Sequence, residues 1–277
     1  MASLQAMKKH LNSIRMTGQL AGAMKTISAV KYSRMNQILQ QYSAYETVCR
    51  QILDSFGSSL AEMFPCRNPE APVCYVILGA NRGLCGGYNI ELYTFAHSVL
   101  ADASADRMLI VTGKHAVSHL SDTGLIPDSS FILPDTVQHE DCTALMEHVI
   151  SLYREGAVSA VVILYQQFVN MLTQNPVSHQ LLPLTTASAV PRTTEPLFVP
   201  DRQTVLQNAA DVCVRADFYA RLLESCAGYH ASALIAMRSA YDNAEASSAV
   251  LESAISRRRQ SDVTSSVIET SGGNMEF

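Results

Sequence analysis

Apolar side chains recur near the start of the chain at alternating intervals of three and four: Leu4, Met7, Leu11 and Ile14, then Met35, Ile38, Tyr42, Tyr45, Cys49, Ile52 and Phe56. That rhythm predicts a helix that supercoils with a partner. Between the two runs, Gly18 to Met24 is rich in small residues. Each glycine costs a lone helix about 1 kcal/mol relative to alanine, so Gly18 and Gly22 predict close approach of another backbone. A helix of about 53 residues is a rod of roughly 80 Å, longer than a single globule buries.

The far end of the chain repeats the pattern. From Asp201 to Ser271 the one glycine is Gly228, and Val205, Ala209, Val212, Ala216, Tyr219, Leu223 and Cys226 hold the same rhythm. Ala233, Met237, Ala240, Ala244, Leu251 and Ala254 continue it with smaller side chains, and after Arg259 the sequence turns polar. Two long arms at opposite ends of a chain pack most simply as an antiparallel coiled coil. The plainer alternative is two separate amphipathic helices folded around the middle of the chain.

All ten prolines lie between Pro65 and Pro200. Within that window, apolar runs at 73–79, 108–113 and 157–165, a weaker one near Phe131 and an extended stretch at 177–184 alternate with helical patterns at 89–100, near His115, and at 142–155. Short strands alternating with helices predict an α/β domain with a largely parallel, Rossmann-like sheet. The expected division is a first long helix over 1–64, the α/β domain with its linker over 65–200, and a second long helix over 201–277; proline and threonine crowd the linker from Thr185 to Pro200.

Composition narrows the function. The chain has 277 residues, 48% hydrophobic and 16% charged, with a formal net charge of −5. A disordered tail and a disulfide scaffold are excluded, and there is no basic footprint for nucleic acid. The first residues lack a signal-peptide core or an Arg-rich presequence, and no window is apolar enough to span a bilayer, so neither export nor membrane insertion is expected. The seven cysteines are widely spaced without a C-x-x-C pair, which suits reduced, structural thiols in a cytosol.

The segment from Gly79 to Asn89 is a glycine-rich turn between a strand and a helix, the setting in which loops cradle phosphate. It fits neither phosphate motif: no lysine falls between Lys31 and Lys114, and Gly79, Gly83, Gly86 and Gly87 are not spaced as G-x-G-x-x-G. A structural turn that leaves Arg82 free for a partner is the better reading. Cys85, near a helix N-terminus, has the placement of an activated thiol but no base or acid beside it in sequence. His115 and His119 are spaced to share a metal, yet without the glutamate of H-E-x-x-H they are expected to be solvated. Arg257, Arg258 and Arg259 either complement a helix end or meet an acidic partner.

Ordered segments along the chain resemble the gamma subunit of F-type ATP synthases, in a divergent bacterial form. Ala23-Met-Lys-Thr-Ile-Ser-Ala-Val-Lys31 is similar to the family's A-M-K-M-V-A-A-A-K, and Asn81-Arg-Gly-Leu-Cys-Gly-Gly-Tyr-Asn89 to D-R-G-L-C-G-G-F-N. Phe168 to Pro176 resembles F-x-N-x-x-x-Q-x-P, and Gln180 to Leu184 resembles Q-L-L-P-L. His230-Ala-Ser232, Ala236-Met237 and Asp242-Asn-Ala244, followed by Arg258 to Thr264, resemble H-A-S, A-M, D-N-A and A-R-Q-x-x-I-T. The chain departs from the family at Gly22, where a lysine is usual, at Asn81, which replaces Asp, at Ser266, which replaces Glu, before Ala236, where Ala-Leu-Ile stands for an Arg-Met pair, and in the polar tail from Thr270 to Phe277.

The resemblance implies a central-stalk rotor subunit. Its arms would form the shaft inside a ring of alternating alpha and beta subunits, and its α/β domain would sit on the epsilon subunit and the c-ring. The chain itself would hydrolyse nothing and hold no cofactor or metal; turning the shaft would bias three catalytic sites in succession. By position, the shaft contacts carry over to Met24, Lys25, Arg259, Gln260, Thr264 and Glu269, and the turn contacts to Arg82 and Cys85. The location implied is the cytoplasmic face of a bacterial plasma membrane, reached through the complex. The competing expectation is a small α/β enzyme that binds a nucleotide or phosphate at the glycine turn and dimerises through its arms.

Overall fold

A computed structural model describes residues 4–102, 106–184 and 198–272. In chain order the elements are α1 (Leu4–Ala61), β1 (Val73–Leu78), α2 (Tyr88–Asp102), β2 (Arg107–Thr112), α3 (Lys114–Asp122), β3 (Ser129–Phe131), α4 (His139–Glu155), β4 (Ala160–Phe168), β5 (Gln174–Leu182) and α5 (Arg202–Gly272). Each expected strand and helix of the middle region is present with ends shifted by a few residues. Most of the expected linker, 185–197, lies outside the described residues. The chain forms two compact units. One runs from Ala29 to Ala233; the other pairs α1 up to Ser28 with α5 from Leu234.

In the larger unit the strands lie in the order β3-β2-β1-β4-β5. β1 pairs in parallel with β2 and β4, and β2 with β3, while β5 runs antiparallel to β4 with Val177 opposite Tyr165. Successive strand side chains face opposite sides of the sheet, so a strand covered on both sides reads as an unbroken apolar run. Val76, Leu78, Ile110 and Ile163 join a core with Leu145, Met146 and Val149 of α4 and with Met35, Phe218 and Leu222 of the long helices. Ile77, Leu109, Val111 and Leu164 point the other way, onto Leu92, Tyr93 and Ala96 of α2 and Ala116 and Leu120 of α3.

The two long helices pair antiparallel in this unit. Arg202 reaches Ser59 at 3.1 Å, the Cys213 thiol lies 3.4 Å from the Cys49 carbonyl, and the Tyr42 and Tyr219 rings meet edge-on at 4.9 Å. Two details of the expected seam are corrected. Tyr45 is 47% exposed, and its place facing α5 is taken by Glu46. Val212 is 44% exposed, and α5 is buried on several sides from Cys213 to Ala233 instead of along one stripe. The reason is a third layer: Cys213 and Ala216 face α1, whereas Val214, Phe218 and Leu222 belong to the core beneath the sheet.

In the smaller unit the same two helices pair alone, again antiparallel, with Arg15 on Glu252 at 2.7 Å. A side chain at Gly18 would place its first carbon 3.1 Å from that of Ala244, and one at Gly22 would stand 3.2 Å from the Tyr241 ring. The close approach expected from these glycines is therefore present, and the alternative of two independent helices falls. Every side chain from Ser256 to Ile268 is exposed. No described helix is long and apolar enough to cross a membrane.

Candidate functional site

Doubly wound sheets bind ligands in the crevice beyond the carboxyl ends of strands that diverge to opposite sides. Here that crevice lies between β1 and β4, and α5 fills it. Ser225 donates to the carbonyl of Leu78 at 3.1 Å, Tyr88 donates its hydroxyl to the carbonyl of Ser225 at 2.7 Å, and Gln166 of β4 donates to the carbonyl of Tyr88 at 2.9 Å. What remains is a cavity of about 40 Å³ lined in part by Leu222, Cys226 and Tyr229. That is room for a water or two, not for a nucleotide.

The glycine turn is built to close over this filled crevice. At Gly79 a β-carbon would come 2.2 Å from that of Ala116, so glycine lets α3 lie against the strand end. Leu84 takes a left-handed backbone conformation, φ 61°, and is 62% exposed. Cys85 next to it turns inward and is 2% exposed, beside Tyr88 and Ala233. Burial pushes its thiol above the ordinary value, against the opposing pull of the Asn89 backbone N–H. A buried, protonated thiol anchors the turn and is no nucleophile. Its side chain is also withdrawn from the surface, so the outward face of the turn is Leu84 and Arg82, the latter 71% exposed and 3.9 Å from Asp135.

His119 is exposed, as expected, and His115 is half-buried; both rings stack against Tyr93. Tyr93 bonds Nδ1 of His115 at 3.1 Å, and its ring stacks on His119 at 4.8 Å. No group of three or more metal-binding side chains occurs among the described residues.

The remaining expected contact residues fall in the smaller unit. Met24 is half-buried, and Lys25 lies over the Tyr241 ring at 4.2 Å, a cation–π contact within the shaft. Arg259, Gln260 and Thr264 are exposed on α5, with the Thr264 hydroxyl donating to the Gln260 carbonyl at 2.9 Å. Arg257 and Arg258 are exposed beside them, and Arg258 pairs with Asp262 at 3.1 Å. The side chain of Glu269 lies outside the described residues.

Two polar clusters have no counterpart in the sequence reading. Arg221, its side chain 7% exposed, binds Glu46, Glu224 and Asp217, with Tyr165 at 3.2 Å, and Asp217 also meets His179 at 2.6 Å. Asp135 receives Lys31 at 2.6 Å and the amide of Asn81 at 3.3 Å. The one signal was Asn81 itself, where an amide replaces the family's carboxylate.

Across residues 3–275 the chain matches the family model described as ATP synthase. It is 30% identical over 277 residues to the ATP synthase gamma chain of Symbiobacterium thermophilum, covering 97% of this chain and 96% of the relative. It is 29% identical to that of Pelotomaculum thermopropionicum, with 99% and 98% covered. In fold it resembles chains from the rotor of the Euglena gracilis mitochondrial ATP synthase, at a TM-score of 0.66, 12% identity and 94% and 98% coverage. The central stalk and c-ring structure of the Tetrahymena thermophila enzyme gives a TM-score of 0.61 at 19% identity, over 80% of this chain and 99% of that one. With full-length similarity added to a sheet crevice closed by its own helix and two long antiparallel arms, the chain belongs to the ATP synthase gamma-chain family.

Proposed function

We propose that the chain is the non-catalytic central shaft that couples ion flow through a membrane sector to ATP synthesis or hydrolysis on alpha and beta subunits. The observation that carries this reading is the end of α5, where residues 256–268 are helical yet exposed throughout. A helical stretch that buries nothing against its own chain and leaves Val263, Val267 and Ile268 exposed suits contact with a surrounding sleeve of partner subunits. Met24, Lys25, Arg259, Gln260, Thr264 and Glu269 touch the sleeve of alpha and beta subunits. Arg82 meets a partner at the glycine turn, and Cys85 supports that turn from beneath. The α/β unit sits on the epsilon subunit and the c-ring, which holds the chain peripherally at the cytoplasmic face of a bacterial membrane. Contacts that differ among shaft orientations bias the catalytic sites in turn.

Co-expression of the tagged chain with alpha, beta and epsilon subunits of the same organism tests the proposal. The expected result is a soluble assembly whose ATPase activity depends on the tagged chain. Recovery of the chain alone, with no gain in ATPase activity when it is added to alpha and beta, rejects it.

A further inference from the structure

We propose that the segment from Leu133 to Val137, between β3 and α4, is the joint that locks both shaft helices to the α/β unit, with Asp135 as its central positioning residue. The inference rests on the rotor function proposed above. Five residues of loop hold three separate elements. On α1, the Lys31 ammonium donates to Oδ2 of Asp135 at 2.6 Å. At the glycine turn, the Asn81 amide donates to the Leu133 carbonyl at 2.6 Å and to Oδ1 of Asp135 at 3.3 Å. On α5, Nε2 of His230 lies 2.6 Å from the Asp135 carbonyl, and because a carbonyl only accepts, that nitrogen carries the proton. One helical turn earlier on α5, the Val137 backbone N–H meets the Cys226 sulfur.

The bonds are partly withdrawn from water. The Asp135 side chain is 17% exposed and that of Lys31 is 29% exposed, so this pair is less screened than a surface ion pair. Burial alone would raise the Asp135 carboxyl; the Lys31 and Asn81 hydrogen bonds and the Lys31 and Arg82 charges outweigh it and hold the group ionised below its ordinary value. His230 is 2% exposed and burial keeps its imidazole neutral, as a fixed donor.

Placement gives the cluster its purpose. The larger unit begins at Ala29 on α1 and ends at Ala233 on α5. Lys31 and His230 are therefore among the last side chains on each helix able to grip the α/β unit. Within the larger unit, turning the helix pair against the sheet would stretch these bonds along with the one from Ser225 to Leu78. Asn81 suits the joint because an amide gives and accepts at once: its Oδ1 takes the Lys114 N–H at 3.3 Å while its nitrogen holds the loop. A carboxylate at 81 would lose both donated bonds and bring a second negative charge beside Asp135.

The test uses Asp135→Asn, Asn81→Asp and the double variant, which restores one donor and one acceptor in exchanged positions. In the purified full-length chain, hydrogen exchange over residues 29–36 and 226–233 is expected to quicken about tenfold in each single variant and to recover at least half of that in the double. In the assembled complex in membrane vesicles, the ratio of ions taken up to ATP hydrolysed, followed with proton- and sodium-sensitive dyes in parallel, is expected to fall severalfold in Asp135→Asn while hydrolysis stays within about twofold, and to recover in the double variant. Loss of stability alone would lower uptake and hydrolysis together and leave the ratio intact. Unchanged exchange, an unchanged ratio, or a double variant as poor as the sum of the singles overturns the joint. Variants that show the exchange pattern beside a wild-type chain that never assembles overturn the rotor reading, and coupling through Asp135 with it.

Discussion

Arg221 shows how a single side chain organises its surroundings. Its guanidinium is surrounded by Glu46 from α1 and Asp217 and Glu224 from α5, and the carboxylates are held in turn by Arg50, His179 and Tyr165. A charge this deep is tolerated because every face of the guanidinium finds a partner. For Asp217, burial raises the pKa, but the His179 hydrogen bond and charge, then Arg221, outweigh it and hold the carboxyl below its ordinary value. A depressed carboxylate contributes stability that is fully present above the unfolded value of about 4 and is lost as the pH falls through the folded value. Glu224 runs the other way, pushed up mainly by burial, so its ionisation costs stability as the pH rises through its folded value. Asp217→Asn should cost about 1–3 kcal/mol at pH 7, with a deficit in melting temperature against the wild type that shrinks between pH 5 and pH 3. A deficit constant across that range would show that the charge of Asp217 is not what matters. Nothing in the sequence marks this cluster, because Glu46 and Arg221 are 175 positions apart and meet only when α1 and α5 pair.

At the scale of elements, side-chain periodicity located both long helices and nearly every strand, since burial on one face or two writes itself as spacing. It misassigned Tyr45 and Val212 for a definite reason. Two adjacent positions on a helix can both reach its partner, and the choice between them is made by what lies opposite. Across from α1 that is Arg221, which selects Glu46 over Tyr45; beneath α5 it is the sheet, which widens one stripe into burial on several sides. The small residues of the shaft were legible because glycine in a helix needs a reason, and the Tyr241 ring against Gly22 supplies it. Gly22→Leu should cost about 1–3 kcal/mol by overpacking this contact, read as a lower melting temperature and faster hydrogen exchange around residues 18–28 and 237–248. Equal melting and exchange in the variant would mean that the pairing absorbs the bulk without strain.

For the whole molecule, packing and partner contact are assigned to different stretches of one helix. α5 is core from Leu206 to Ala233, a two-helix seam to about Ile255, and exposed from Ser256 to Ile268. A chain ended after Ser256 should therefore unfold in urea within about 0.5 kcal/mol of the full chain, because the removed side chains that are described bury almost nothing. A loss of several kcal/mol would place that segment against the fold and against the sleeve proposed for it. By itself the sequence determined the pair of long arms, the α/β order of the middle and the family, all of which rest on local spacing or ordered motifs. The tertiary structure alone decided that α5 closes the sheet crevice, that Cys85 faces inward, and that Asp135 gathers Lys31, Asn81 and His230. Those outcomes join residues distant in the chain through polar contacts, and such contacts impose no period on the sequence that makes them.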